Sequence, residues 1–480
     1  MTVLHVHQAL IGPDYDQSGP VRLEIDDTGR ISSILSAPAP DGPARLAIPS
    51  MVDAHNHARP LSTTSFGCGA QPLEQWLPHL AMIPAVDAYL ATSASLARSL
   101  KGGATSVMIH LTRPMGLKPL PEEARDIARA AADVGVSVGL AVAMRDRNPL
   151  VYGDQEALLE QLDRETAALV RAVWLKPTPS IDAQLALVDE VAEALADQPH
   201  VDVQYGPNGA QWCSDELLGA IADASARTGR RVHMHLLETK PQRDWADAVY
   251  PDGLVAHLER MGLLSDRLTL AHCVWMRPDE MPLIAAAGTR IAVNNSSNLH
   301  LFSGLAQVQT MVSAGVSLTM GLDGCTLDED DDAFRELRLL HLTGHAPGFE
   351  PSALTPQSAL KAACQTGRTV LGLPEGGYLA PDMPADLMTL DLDALNRDHL
   401  MPLPAADLLF ARGTAKHIRD IWSMGRQVVR EGEVLGIEPA ATEDKLRDEY
   451  RAALPATAPV RAAWPVVAEA IADHYRKGSV

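Results

Sequence analysis

The apolar positions of the chain fall into two kinds of run. Short stretches rich in Val, Ile, Leu and Ala recur at "RLAIPSMVDAH", "GATSVMIHL", "GVSVGLAVAM", "VDVQYG", "RRVHMHLLE", "RLTLAHC", "TRIAVNN" and "VSLTMGLD". Their length and near-continuous apolarity predict buried parallel strands. Between them lie stretches with helical periodicity, such as "LPEEARDIARAAADVG" and "SDELLGAIADASARTG". The second opens on Ser214, a good N-cap, and closes on Gly229, a good C′ residue. Eight strands alternating with helices predict a closed (β/α)8 TIM barrel or a doubly wound sheet, and the count of eight favours the barrel.

The two ends read differently. "VRLEIDDTGRISSIL" near the start, and "ADLMTLDLD" and "IWSMGRQVVREGEVLG" near the end, are strand-and-turn sequences. The expected organisation is α/β: residues 1–47 and 376–437 as two halves of one small β-sandwich, with residues 48–375 as the barrel between them. Residues 438–480 read as two helices appended outside the sandwich.

Composition narrows the class. Of 480 residues, 46% are hydrophobic and 21% charged, which suits a globular chain with a large core. A net charge of −21 argues against nucleic acid or an anionic membrane as partner. No segment reaches the roughly 18 apolar residues of a membrane span. The first residues lack a basic region followed by an apolar core, so a cytoplasmic location is expected. Five cysteines (Cys68, Cys213, Cys273, Cys325 and Cys364) are scattered without a CxxC pair, which predicts reduced thiols and no structural zinc site. The acidic run "LDEDDD" reads as a solvated loop feeding the N-terminus of the helix "DAFRELRLLHL".

Barrel chemistry sits at the C-terminal ends of the strands. The first strand ends on "HNH": His55 and His57 share a face because the side-chain period of a strand is two. The fifth carries His233, His235 and Glu238, the sixth ends on His272, and the eighth ends on Asp323. Imidazoles and carboxylates from four strands converge on one rim, the donor types that a transition-metal ion takes.

With these residues in view, "IPSMVDAHNH", "HLLET", "LAHCVW", "NSSNLHLFSGL" and "GLDG" resemble the mononuclear branch of the amidohydrolase superfamily. That branch includes cytosine and guanine deaminases, S-adenosylhomocysteine-type deaminases and triazine hydrolases. The resemblance runs over nearly all of the chain except the last forty or so residues. It implies one divalent ion, zinc first and iron second, on His55, His57, His235 and Asp323, with an open position for water. It further implies that Asp323 takes the water's proton, that Glu238 protonates a ring nitrogen, and that His272 binds the attacking oxygen and then the oxyanion. Binuclear relatives use a carbamylated lysine at the end of the fourth strand. Here "VDVQYGPNG" has none, and Lys176 in "WLKPTPS" precedes the helix before that strand.

Other positions bear on the substrate. Asn208 stands where many relatives carry histidine, and Val293 replaces another, which weakens a claim to adenine nucleosides. Arg145 and Arg147 in "MRDRNP" reach the mouth, either as a fork for a substrate carboxylate or carbonyl or as a surface pair with Asp146. An anionic substrate would meet the opposing field of the acidic chain. Trp76 and Trp275 are candidate flat walls, and His110 and Asn298 candidate substrate contacts. His233 reads as a core histidine one layer down and Cys273 as structural. His79, His399, His417 and His474 have no converging partner.

The expected function is a metal-dependent aminohydrolase acting on an amino-substituted N-heterocycle and releasing ammonia or an amine. The expected enzyme alternative hydrolyses an amide, urea or carbon–halide bond on the same scaffold. A non-catalytic binding barrel is the alternative from another class. The expected partner is a small heterocyclic substrate, with a homo-oligomer as the assembly.

Overall fold

A computed structural model describes residues 1–324, 326–350, 352–398 and 400–478. Cys325 and His399 lie outside the described residues. At the centre is an eight-stranded parallel sheet rolled into a barrel: β1 (Met51–Asn56), β2 (Ala104–Leu111), β3 (Ser137–Met144), β4 (Val201–Pro207), β5 (Val232–Leu236), β6 (Leu268–His272), β7 (Arg290–Val293) and β8 (Ser317–Met320). Each strand pairs in parallel with the next in sequence, so β1 and β8 are the two ends of the ladder.

The seam between those ends is closed by side chain and backbone together. The Asp323 amide donates to the His55 carbonyl at 2.7 Å. Asp53, fully buried in β1, accepts the Leu322 amide at 2.9 Å and the Asn56 side chain at 2.6 Å. A residue with a Cβ at position 321 would place that atom 2.7 Å from the His55 Cβ, so Gly321 is required for this close approach.

The run "RLAIPSMVDAH" is two strands and not the single strand its apolarity suggests. Arg45–Pro49 pairs antiparallel with Leu387–Asp391 in the terminal sheets, and β1 starts only at Met51. Ser50 forms the joint: its amide donates to Asp386 O, and its hydroxyl meets that of Thr105 at 2.7 Å. Periodicity cannot register this handover, because both sheets bury their strands on both faces.

The strands of the two termini form a seven-stranded sheet, joining Gln8–Ile11, Asp16–Ser18 and Arg45–Pro49 to four strands from residues 387–434. A three-stranded sheet of N-terminal strands packs on it through Val21, Leu23, Ile25 and Ile31 against Leu387 and Trp422.

The barrel helices that matter for the site are α1 (Leu73–His79), α2 (Ala88–Lys101), α3 (Leu120–Val134), α4 (Asp215–Thr228) and α5 (Ala333–Thr343). Ser214 caps α4 by accepting the Leu217 amide, and Gly229 ends it in the left-handed region at φ 73°. The acidic run is more structural than its charge implies. Asp332 caps α5, and Asp331 is buried 3.1 Å from Arg98 Nε.

The C-terminal helices, α6 (Pro439–Ala453) and α7 (Ala458–Arg476), lie outside the sandwich and pack on the barrel. Leu446 and Tyr450 of α6 pack on Val86, Ala91 and Ala94. Trp464, Val467 and Ile471 of α7 pack on Met82, Leu158 and Trp174. Both helices therefore cover the barrel beside its mouth. Their amphipathic pattern showed an apolar face but not which surface it would meet. Among the described residues no helix is long and apolar enough to cross a membrane.

Replacing Asp53 with alanine strands buried donors on both sides of the seam. The expected cost is about 3 kcal/mol, read as a lower urea midpoint; a loss under about 1 kcal/mol would show that the seam does not depend on this carboxylate.

Candidate metal centre and active site

The strand ends that carry the site are backbone-strained. His272, Cys273, Asp323 and Leu237 all have positive φ, between 49° and 73°, where non-glycine residues are held only by their surroundings. Asn56 sets the corresponding turn after β1: its side-chain oxygen accepts the amides of His57 (2.7 Å) and Ala58 (2.9 Å).

Two histidines face each other across the centre with their protons already committed. His57 Nδ1 donates to the His110 carbonyl, and His235 Nδ1 donates to the Asn208 carbonyl, both at 2.7 Å. A carbonyl only accepts, so a proton sits on each Nδ1, and in the neutral ring that a metal binds each Nε2 carries the lone pair. Those two Nε2 atoms are 3.3 Å apart. Asp323 Oδ1 lies 3.1 Å from His57 Nε2 and 3.4 Å from His55 Nε2. Asp323 Oδ1 and both ring nitrogens of His55 are buried without hydrogen-bond partners. Ligand atoms of His55, His57 and His235, and of His55, His272 and Asp323, lie within 4.8 Å of one another. Bare nitrogens and a bare carboxylate oxygen this close repel unless a cation sits among them. The residues fit a divalent metal.

Electrostatics point the same way. Burial opposes ionisation of Asp323, yet the Arg59 guanidinium and the His55 and His57 rings outweigh it and hold its carboxyl well below the usual range. Burial pushes His55 and His235 well down, so both stay neutral as ligands must. Glu238 is pushed well above the carboxylate range, by burial first and then by the charges of Asp323 and Glu74. Both effects favour its protonated form, and its Oε2 lies 3.7 Å from His272 Nε2. His272 Nδ1 meets Asn298 Oδ1 at 2.9 Å, which leaves the His272 Nε2 lone pair facing the centre.

A cavity of about 250 Å³ opens above these groups, lined by His57, His235, Glu238, His272 and Asp323 together with an outer wall. Trp76, Arg145 and Asn208 line it, and the Asn208 Oδ1 is buried without a partner. The wall also includes residues that sequence reasoning missed. Arg59 stacks on Trp76 at 4.7 Å and donates to the Asp323 carbonyl. Glu74 accepts from Thr239 and from Tyr152, and Tyr475 arrives from α7. Only Arg59, four residues after His55, had a signal close to the motif.

Three expected substrate contacts are placed elsewhere. His110 is fully buried beneath the centre, its Nε2 donating to the Gly206 carbonyl and its Nδ1 3.3 Å from His233, so Thr112 rather than His110 reaches the rim of β2. Asn298 is fully buried and touches His272, not the cavity. Trp275 sits in an outer depression with Arg277, its indole donating to the Ser303 carbonyl. Arg147 also turns away from the mouth, donating to Ala210 O and stacking on Trp245, while Asp146 accepts from Ser214 and pairs with neither arginine.

The remaining candidates fall as follows. His233 lies below His55 with its rings stacked at 5.0 Å, and its Nε2 donates to Ala54 O. Cys273 is buried in the core. Val293 is fully buried at the end of β7. Lys176 is exposed in the loop before the helix Ile181–Ala194 and does not line the cavity. His79 packs on Trp464, His417 bonds Thr414, and His474 donates to Tyr152 O.

Comparison with known proteins adds to this geometry. The family described as Amidohydrolase family matches residues 46–430. A 5'-deoxyadenosine deaminase of Methanothermobacter thermautotrophicus is 25% identical over 448 residues, covering 89% of this chain and 94% of that protein. A 5-methylthioadenosine/S-adenosylhomocysteine deaminase of Nitratidesulfovibrio vulgaris is 30% identical over 57% of this chain and 62% of its own. Among solved structures, an adenosine deaminase from Xanthomonas campestris with bound zinc superimposes with a TM-score of 0.77 at 22% identity, over 94% of this chain and 98% of that one. Atrazine chlorohydrolase from Arthrobacter aurescens, complexed with zinc, gives 0.74 at 21% identity over 94% and 100%. These two establish a shared fold. The family match over most of the chain, centred on the barrel that carries the histidines, makes this protein a member of the amidohydrolase family.

Proposed function

We propose that this chain is a hydrolytic deaminase of an amino-substituted N-heterocycle, dependent on one divalent metal, with zinc the ion its donor set suits best. The observation that carries the reading is the pair of bare imidazole nitrogens 3.3 Å apart, with a buried acid whose protonated form is favoured, Glu238, beside them. The activities of the relatives, which are deaminases of adenosine-type compounds, support the same reaction type.

His55, His57, His235 and Asp323 would hold the ion, which when bound supplies a Lewis acid that makes water nucleophilic near neutral pH. The chain's own residues do the rest. Glu238 donates its proton to the ring nitrogen beside the attacked carbon, so electron density can leave that carbon towards the ring. The His272 tautomer alters its expected role. Because Asn298 holds the Nδ1 proton, Nε2 first accepts a proton from the attacking water and only then donates a hydrogen bond to the new oxygen. Asp323 Oδ1 is a second acceptor on the same face, while its other oxygen receives the Ser297 hydroxyl. The proton taken from the water passes to the amino group, which leaves as ammonia; the ring carbon keeps the water's oxygen, and the hydroxyl proton released as the carbonyl forms restores Glu238.

Trp76 and Trp212 give the cavity flat walls for a ring. Arg145 also lines it and has no ion-pair partner among the described residues, so it is free to bind a carbonyl or anionic substituent.

A coupled ammonia assay on metal-loaded protein across pterins, purines, pyrimidines and triazines is expected to find one ring class turned over. Silence in all four classes would sink the deaminase reading, and a hydrolysed product formed without ammonia would favour amide or halide hydrolysis. Within a responsive class, Glu238→Gln is expected to lower kcat by about a hundredfold to ten-thousandfold while metal content stays unchanged. The wild-type rate should fall as pH rises, because the form that donates is the protonated one and its raised pKa sets the alkaline limb. A rate that rises through that limb would show that Glu238 works as a carboxylate.

A further inference from the structure

Beside the catalytic cavity lies a second one of about 100 Å³. The two adjoin at His57, Arg59, Leu80, Thr112 and Arg113, which line both. The second cavity is apolar: Ile109 and Leu111 come from β2, Ile127 from α3, and Leu61 and Phe66 from the segment after β1. Two of the charged groups along it are already engaged. Glu123 accepts the amides of Met115 (2.7 Å) and Gly116 (2.9 Å), and Arg113 donates to the Ile83 carbonyl.

One group is not engaged. Tyr450 reaches the cavity from α6, its ring edge-on to Phe66 at 4.8 Å. It is 3% exposed, and its hydroxyl is buried with no hydrogen-bond partner among the described residues. Burial pushes the phenol further up, with Arg113 opposing, so it remains an O–H donor. An unsatisfied hydroxyl in an apolar chamber costs free energy, and natural structures seldom leave one without an acceptor.

We propose that this chamber is a substrate subsite, taking an uncharged apolar substituent of the heterocycle that ends near one acceptor atom for Tyr450. The inference rests on the deaminase reading, because the substituent must project from a ring held at the metal centre. Its volume suits roughly three to five non-hydrogen atoms. The subsite is built in part by α6, so a helix far from the catalytic motifs contributes to substrate choice.

The test uses methyl, butyl and 2-methoxyethyl groups placed on N9 of adenine, on N1 of cytosine and on one amino group of 2,4-diamino-1,3,5-triazine, so that every compound keeps a free amino group. Affinity for the zinc-loaded full chain is measured by calorimetry, with ammonia release followed in parallel. For a ring that binds, the two longer derivatives are expected to bind about tenfold more tightly than the methyl one. Leu61→Trp fills the chamber and should erase that gain without changing affinity for the methyl compound. Tyr450→Phe keeps the packing and should weaken the methoxyethyl compound by about threefold to tenfold while sparing the butyl one. Equal affinities throughout, a gain that survives Leu61→Trp, or no binding by any derivative would overturn the subsite. A gain in affinity without ammonia from any compound would keep the subsite and remove the deaminase reading; ammonia release without the gain would remove the subsite alone.

Discussion

The structure depends on a repulsion that only a cation relieves. His57 and His235 have given their ring protons to backbone carbonyls and present lone pairs to each other at 3.3 Å, with the unpartnered oxygen of Asp323 alongside. Nothing in ordinary packing rewards such an arrangement, since buried polar atoms otherwise find donors. The surroundings hold it in place. Positive-φ turns fix the ends of the strands carrying His272 and Asp323, Asp53 ties β1 to β8, and the carbonyls of His110 and Asn208 set the tautomers. Supporting groups thus decide which atom of each ligand faces the centre.

The same frame separates two carboxyl groups by environment. Asp323 lies beside Arg59 and the histidines, which favour its ionised form, whereas Glu238 is buried with Asp323 and Glu74 as its charged neighbours, which favour its protonated form. Two carboxyl groups that line one cavity are thereby pushed towards opposite protonation states, the division of labour that the proposed hydrolysis needs. The cavity above them is completed by residues from α1 and α7, so the last helix walls the cavity as well as packing on the barrel.

Much of this was legible in the chain. Eight apolar runs named the barrel strands, and the strand-end positions of His55, His57, His235, Glu238, His272 and Asp323 converge because parallel strands put their C-terminal ends on one rim. What failed to show had physical causes. The handover at Ser50 was hidden because both flanking strands are buried. His110 was expected at the mouth, but β2 runs on to Leu111, and the alternation that fixes its face does not fix its depth. Asn298 was read as a substrate contact and Trp275 as a flat wall, whereas the first orients His272 and the second bonds the Ser303 carbonyl in an outer depression. Glu74, Tyr152, Tyr475 and Tyr450 come from helices and loops remote in sequence, whose docking no local pattern encodes.

The central claim is that the facing imidazoles exist to hold one metal ion. Elemental analysis of purified wild-type protein and of His235→Ala tests it directly. The account predicts about one zinc or other divalent ion per chain in the wild type, and its loss in the variant with the fold retained by circular dichroism. No metal in the wild type after reconstitution, or equal metal in both proteins, would contradict it.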